Sequence, residues 1–217
     1  DSETLKRMEP NIQGAAALNV PTAAIVCPYS LNIALAESAV ENGVDIKLNS
    51  PVTAINGTEG SFQLETPGGT INAGLVVNSA GLFADKVARM TGVNRWRIWP
   101  CRGEYIILDK SKGSLINSMV YPVPPKGGAG LGIHITPTTD GNILLGPSTD
   151  YTNDAEDVRT TAKVRRQLLA EAAEFLPGLT PRDVITAYSG MRPKLVPSKV
   201  GGFGDFVVEE VEEAPGV

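Results

Sequence analysis

The chain is poor in the residue types on which several function classes depend. It has two cysteines, Cys27 and Cys101, far apart and in no Cys-x-x-Cys pair. That excludes a disulfide-dense module and a cysteine-rich zinc site. Histidine occurs once, as His134, so a multi-histidine metal centre is excluded as well. Positive charge is also scarce: 19 basic residues face 24 acidic ones, for a net charge of −5. This disfavours a dedicated nucleic-acid binder, which needs a basic footprint. No run approaches the ~20 apolar residues that cross a bilayer. No charged segment leads into an apolar one as in a secretory signal. These absences predict a cytoplasmic protein with no metal and no nucleic-acid partner.

What is plentiful is turn chemistry. The 23 glycines and 16 prolines among 217 residues exceed the roughly 12% of average usage, and they are scattered rather than tandem. They read as turns between short strands. A chain this long buries enough surface to need no covalent staples.

The periodicity divides the chain in two. Leu31, Ala34, Leu35, Ser38 and Ala39 recur at helical spacing, with Ser30 to cap and Asn42-Gly43 to stop. Short strands are predicted over Val44–Leu48, Val52–Ile55, Phe62–Glu65 and Thr70–Ile71, with turns at Asn56-Gly57 and Pro67-Gly68-Gly69. Leu75–Asn78 reads as a buried parallel strand, followed by a helix over Leu82–Met90. Beyond Arg95 the pattern becomes strand-rich: Glu104–Leu108, Met119–Val123, Leu131–Thr136, Asn142–Gly146, Val184–Ser189 and Phe206–Glu209. One long helix is predicted over Ala155–Phe175. The fold class is therefore α/β plus α+β. The expected units are residues 1–93, residues 94–195 with an antiparallel sheet, and residues 196–217 as a returning strand.

The most informative stretch is Leu75-Val76-Val77-Asn78-Ser79-Ala80-Gly81-Leu82. A strand runs into a small-residue turn and straight into a helix, where backbone N–H groups can meet a phosphate. Simple strand–helix packing explains the same pattern. Further segments follow in order: Arg102-Gly103-Glu104-Tyr105, Tyr121-Pro122-Val123-Pro124, Gly132-Ile133-His134-Ile135-Thr136-Pro137, Asp140-Gly141-Asn142, Leu145-Gly146-Pro147 and Gly190-Met191-Arg192-Pro193. This ordered series resembles the FAD-dependent oxidoreductases of the D-amino-acid-oxidase superfamily, with the nearest likeness to L-2-hydroxyglutarate dehydrogenase and anaerobic-type glycerol-3-phosphate dehydrogenase. The likeness runs from about Pro21 to the end. It lacks the opening GxGxxG fingerprint and the closing flavin-side segment of that family. The expectation is an interior fragment, inactive alone and weak in FAD binding.

The resemblance implies a partial Rossmann-like FAD-binding domain joined to a substrate domain. It places Val52 at an adenine-side strand and Ala80 and Gly81 at a turn beside the FAD pyrophosphate. His134 falls beside the substrate, where imidazole suits proton acceptance near neutral pH. Arg192 reaches a substrate carboxylate, since guanidinium makes two parallel hydrogen bonds to one anion. Each has a structural alternative: a core residue at Val52, a satisfied strand histidine, an ion-paired arginine. Tyr121 and Thr136 are candidate hydrogen-bonders, Lys194 a second positive charge, and Arg102 and Glu104 either a mutual pair or pocket lining. Cys101 reads as a small buried residue, and the acidic run Glu209–Glu213 as a solvated strand end.

The implied activity is oxidation of a small anionic secondary alcohol, of glycerol-3-phosphate or L-2-hydroxyglutarate type, by hydride transfer to flavin. Electrons then pass to an unidentified acceptor, and the complete enzyme is either cytoplasmic or membrane-peripheral. Two rival readings stay open, an amine or amino-acid oxidase of the same superfamily and a non-catalytic α+β binding module.

Overall fold

The computed structural model describes residues 1–124, 132–200 and 204–217. Two helices come first, α1 (Ser2–Met8) and α2 (Pro28–Glu41). Asp1 caps α1 by accepting from the Thr4 N–H. α2 starts on a proline whose ring pre-sets φ, and it buries none of its residues.

A three-stranded antiparallel meander follows: β1 (Ala54–Thr58), β2 (Ser61–Thr66) and β3 (Gly69–Ala73). Its register aligns Ile55, Leu64 and Ile71 in one cross-strand row. That apolar row decides where the hairpin turns. Thr58 pairs with Ser61, so the first turn is Glu59-Gly60, and Asn56-Gly57 lies inside β1. The second turn falls at Pro67-Gly68, as the dipeptide predicts. Ile55, Phe62 and Val76 form a small core, with Val52, Val87 and Met90 against it.

Val44–Leu48 and Leu75–Asn78 are not strands. A parallel strand needs a hydrogen-bonded neighbour, and no strand among the described residues pairs with either. The Val76 N–H donates to the Gly216 carbonyl (2.9 Å), while Leu75 and Val77 stay exposed. The helical stretch after the turn begins as a 3-10 turn, Gly81–Phe83, and continues as α3 (Ala84–Met90).

The larger sheet is antiparallel, in the order β5 (His134–Pro137), β6 (Ile143–Gly146), β4 (Trp99–Leu108), β7 (Asp150–Tyr151), with β8 (Val184–Lys194) also on β4. Of the predicted strand Met119–Val123 only Val120 pairs, as a bridge to Ile135. Leu131 lies outside the described residues. One face of the sheet carries Ile106, Leu108, Ile135 and Leu145, packed on Leu168, Leu169 and Ala172 of α4 (Ala162–Ala173). Fully burying side chains of this size contributes about 1.5–3 kcal/mol each, so this cluster is the main core. α4 is shorter than its periodicity predicts because Thr161 caps it, its hydroxyl accepting from the Val164 N–H.

Residues 204–217 hold loop and turns rather than the expected returning strand. The acidic run there is tied to Arg95, which pairs with Glu209 and, at 3.9 Å, with Glu213.

Candidate functional site

Strand alternation decides what the open face of the large sheet displays, because successive side chains point to opposite faces. With Ile106 and Ala187 on the α4 side, the other face receives Cys101, Gly103, Tyr105 and Ile107 from β4. Opposite them on β8 stand Arg192, Gly190, Tyr188 and Thr186. β5 adds His134 and Thr136, paired with Gly146 and Leu144 of β6. The two residues singled out for chemistry, His134 and Arg192, therefore share one face.

Arg192 is held from below. Its Nη2 donates to the Ser148 carbonyl (2.8 Å) and approaches Thr149 Oγ1 (3.4 Å) and the buried Cys101 Sγ (3.7 Å). Ser148 is itself pinned to β4: its N–H donates to the Glu104 carbonyl and its hydroxyl accepts from the Glu104 N–H, both at 3.0 Å. The Arg192 Nε is buried without a partner among the described residues, and so is the His134 Nε2. A buried polar atom without a partner costs free energy, so both nitrogens are candidates for ligand contact. Burial, and then the Arg192 charge, hold the His134 pKa below its ordinary value. The ring stays a neutral acceptor.

Around these two stand tyrosines. Tyr121 packs its ring on His134, centroids 4.2 Å apart. Tyr105 and Tyr188 stack at 5.2 Å with nearly parallel planes. Burial raises both phenols above their ordinary pKa, so they remain protonated donors. Gly146 makes room for Tyr105: at φ +140°, a Cβ there would sit 2.7 Å from the Tyr105 ring. The tyrosine pair was not anticipated, since Tyr105 and Tyr188 lie in two separately predicted strands whose pairing register the sequence does not state. Continuing the period of two back from Arg192 would have found Tyr188.

Arg102 and Glu104 point the other way. Arg102 binds Asp150 and Asp157 (both 2.6 Å), and Glu104 accepts from the Thr161 N–H (2.6 Å) and hydroxyl (3.2 Å). Burial opposes the Arg102 charge, but the Asp157 and Asp150 carboxylates outweigh it and raise its pKa. Their role is to join β4 to β7 and the α4 cap.

The second group forms separately. Val52 packs on the core that contains Val76, four residues before Ala80, which brings it toward the turn. There Asn78 holds the loop, its amide donating to the Ala84 carbonyl (2.8 Å) and its oxygen accepting from the Ala80 N–H (3.3 Å). Gly81 has φ +55°, and a Cβ on it would meet nothing. A small-residue turn with open space above it fits the close approach of a nucleotide diphosphate. β8, the strand that carries Arg192, contacts this turn. A cleft of about 310 Å³ beside it is lined by Phe83, Lys86, Arg97, Trp99 and Asp154 among others, but by neither His134 nor Arg192. Among the described residues no cluster of His, Cys, Asp and Glu could hold a metal ion, and no helix is long and apolar enough to cross a membrane.

A profile of the family described as DAO, FAD dependent oxidoreductase, matches residues 1–217. The chain belongs to this family. It is 35% identical over 216 residues to glycerol 3-phosphate dehydrogenase of Caloramator mitchellensis, covering 99% of this chain and 43% of the relative. It is 31% identical over 150 residues to L-2-hydroxyglutarate dehydrogenase of Escherichia coli K12, covering 68% and 36%. Among solved structures it resembles the FAD-bound L-α-glycerophosphate oxidase of Mycoplasma pneumoniae, at 25% identity and a TM-score of 0.75, over 89% of this chain and 51% of that one. This FAD-dependent oxidoreductase chain thus spans less than half the length of the two dehydrogenases.

Proposed function

We propose that the complete enzyme oxidises a small anionic secondary alcohol, of glycerol-3-phosphate or L-2-hydroxyglutarate type, and passes the electrons to an external acceptor. The observation that carries this reading is that two buried nitrogens without a partner among the described residues, His134 Nε2 and Arg192 Nε, share one sheet face. The relatives of 35% and 31% identity carry names of both substrate types.

Bound FAD supplies the hydride acceptor. Arg192 anchors the substrate anion through its guanidinium, already oriented by the Ser148 carbonyl. The imidazole of His134 takes the hydroxyl proton as the carbinol C–H leaves as hydride, and the carbon becomes a carbonyl. Being neutral at pH 7, the ring is ready to accept. Ala80 and Gly81 would hold the cofactor diphosphate, and Val52 would border its adenine side. Anaerobic stopped-flow mixing of the complete enzyme with each of the two anions tests the reading. Flavin bleaching by at least one is expected, and bleaching by neither removes it.

A further inference from the structure

The open face of the large sheet has a gap in its side chains. Gly103 on β4 and Gly190 on β8 are directly opposite in register. Gly103 is buried beneath Pro147 and Ser148, whereas Gly190 is exposed and leaves a bare position between Arg192 and Tyr188 on the same strand. Same-face neighbours on a strand are roughly 6.8 Å apart, so the backbone positions of Arg192 and Tyr188 lie about 14 Å apart, and the guanidinium reaches back toward Gly103. Close cross-strand neighbours normally gain by pairing side chains here, and a glycine pair forgoes that.

The two glycines differ in what they face. A Cβ on Gly103 would crowd Pro147 Cβ (3.0 Å), the Ser148 carbonyl (3.4 Å) and Arg192 Nη2 (3.5 Å). Packing therefore explains Gly103. A Cβ on Gly190 would meet nothing within 4 Å, its φ is not in the left-handed region, and the residue is exposed. Neither backbone conformation nor a neighbour among the described residues accounts for a glycine at 190.

We propose that Gly190 is a specificity-determining residue: its missing side chain leaves the floor over which the carbon chain of a small anionic alcohol lies, between the Arg192 anchor and the Tyr105–Tyr188 stack. This rests on the reading of Arg192 as the anion anchor. Bulk at 190 would occupy the substrate's place without disturbing the sheet, so longer substrates suffer most.

The test uses the complete flavin-loaded enzyme with Gly190→Ala and Gly190→Val, and compares L-lactate with L-2-hydroxyglutarate and glycerol 3-phosphate. Thermal melting should stay near wild type. For the best substrate kcat/KM should fall by about ten- to two-hundredfold, more for valine than alanine, and proportionally more than for the shorter lactate. If valine lowers the melting temperature, the alanine variant carries the comparison. A fall below about threefold, or an equal fall for every anion, overturns the proposal, the latter because it marks general damage at Arg192. Arg192→Lys is measured alongside. Lost anion binding there with silent Gly190 variants removes only the role of Gly190, whereas silence at both removes the anion-anchor reading too.

Discussion

His134 and Arg192 illustrate how one residue conditions another. Burial disfavours the charged imidazole, and the Arg192 charge acts in the same direction, so the His134 pKa is lowered. The sign of the pH effect follows. Folded protein prefers neutral imidazole, so the preference is present above the unfolded pKa of about 6.5 and is lost as pH falls through the lower folded value. The acid limb of flavin reduction in the complete enzyme should therefore lie below pH ~6.5, and a limb above that value contradicts the placement. His134→Ala should slow reduction by about 10²–10⁴-fold, with a smaller change in substrate affinity because Arg192 is retained. A merely structural histidine would lower the melting temperature and leave the reduction rate intact.

At the scale of elements, the α4 cap is coupled to the site through a short relay. Thr161 donates to Glu104, Glu104 and Ser148 exchange two hydrogen bonds, and the Ser148 carbonyl receives Arg192. Thr161→Ala removes the cap on Val164 and one of the bonds to Glu104, but keeps the backbone N–H. A lost cap costs about 1 kcal/mol, which for a chain of this length is roughly 2–4 °C in melting temperature. Circular-dichroism melts of Thr161→Ala and Thr161→Ser test this, with serine expected to restore most of the loss. An unchanged melt for alanine would mean that α4 starts without help from Thr161.

On the scale of the whole molecule, apolar side chains are distributed unequally. The large sheet and α4 share a continuous core, whereas Leu31 and Leu35 of α2, Val44, Leu48, Leu75 and Val77 are all at least 45% exposed. Exposed apolar surface of this extent binds hydrophobic dyes and promotes association. The 217-residue chain should enhance the fluorescence of an anilinonaphthalene dye while giving a cooperative melt. Leu75→Ser with Val77→Thr should weaken the dye signal without lowering the melting temperature, since neither side chain is in a core. A melt lowered by several degrees would show that these residues are packed in solution.

Local chemistry determined a good part of this protein. The turn at Pro67-Gly68, the helix after Gly81 and the existence of β4, β5, β6 and β8 follow from nearest-neighbour sterics and hydrophobic alternation, whereas the short β7 was not expected and α2 starts at Pro28 rather than at a Ser30 cap. The family, too, was legible, because its motifs are short segments in a fixed order. Register and face were not. Whether Asn56-Gly57 or Glu59-Gly60 turns the first hairpin depends on aligning Ile55 with Leu64 and Ile71 across strands. Continuing β8 past Gly190 to Lys194 needs the ten residues of β4 beside it. The apolar runs Val44–Leu48 and Leu75–Asn78 have strand composition yet no strand, because a ladder bond requires a second chain segment that composition cannot supply. For the same reason only the tertiary structure could put His134, Arg192, Tyr105 and Gly190 on one face: each is placed by pairing with a strand remote in sequence.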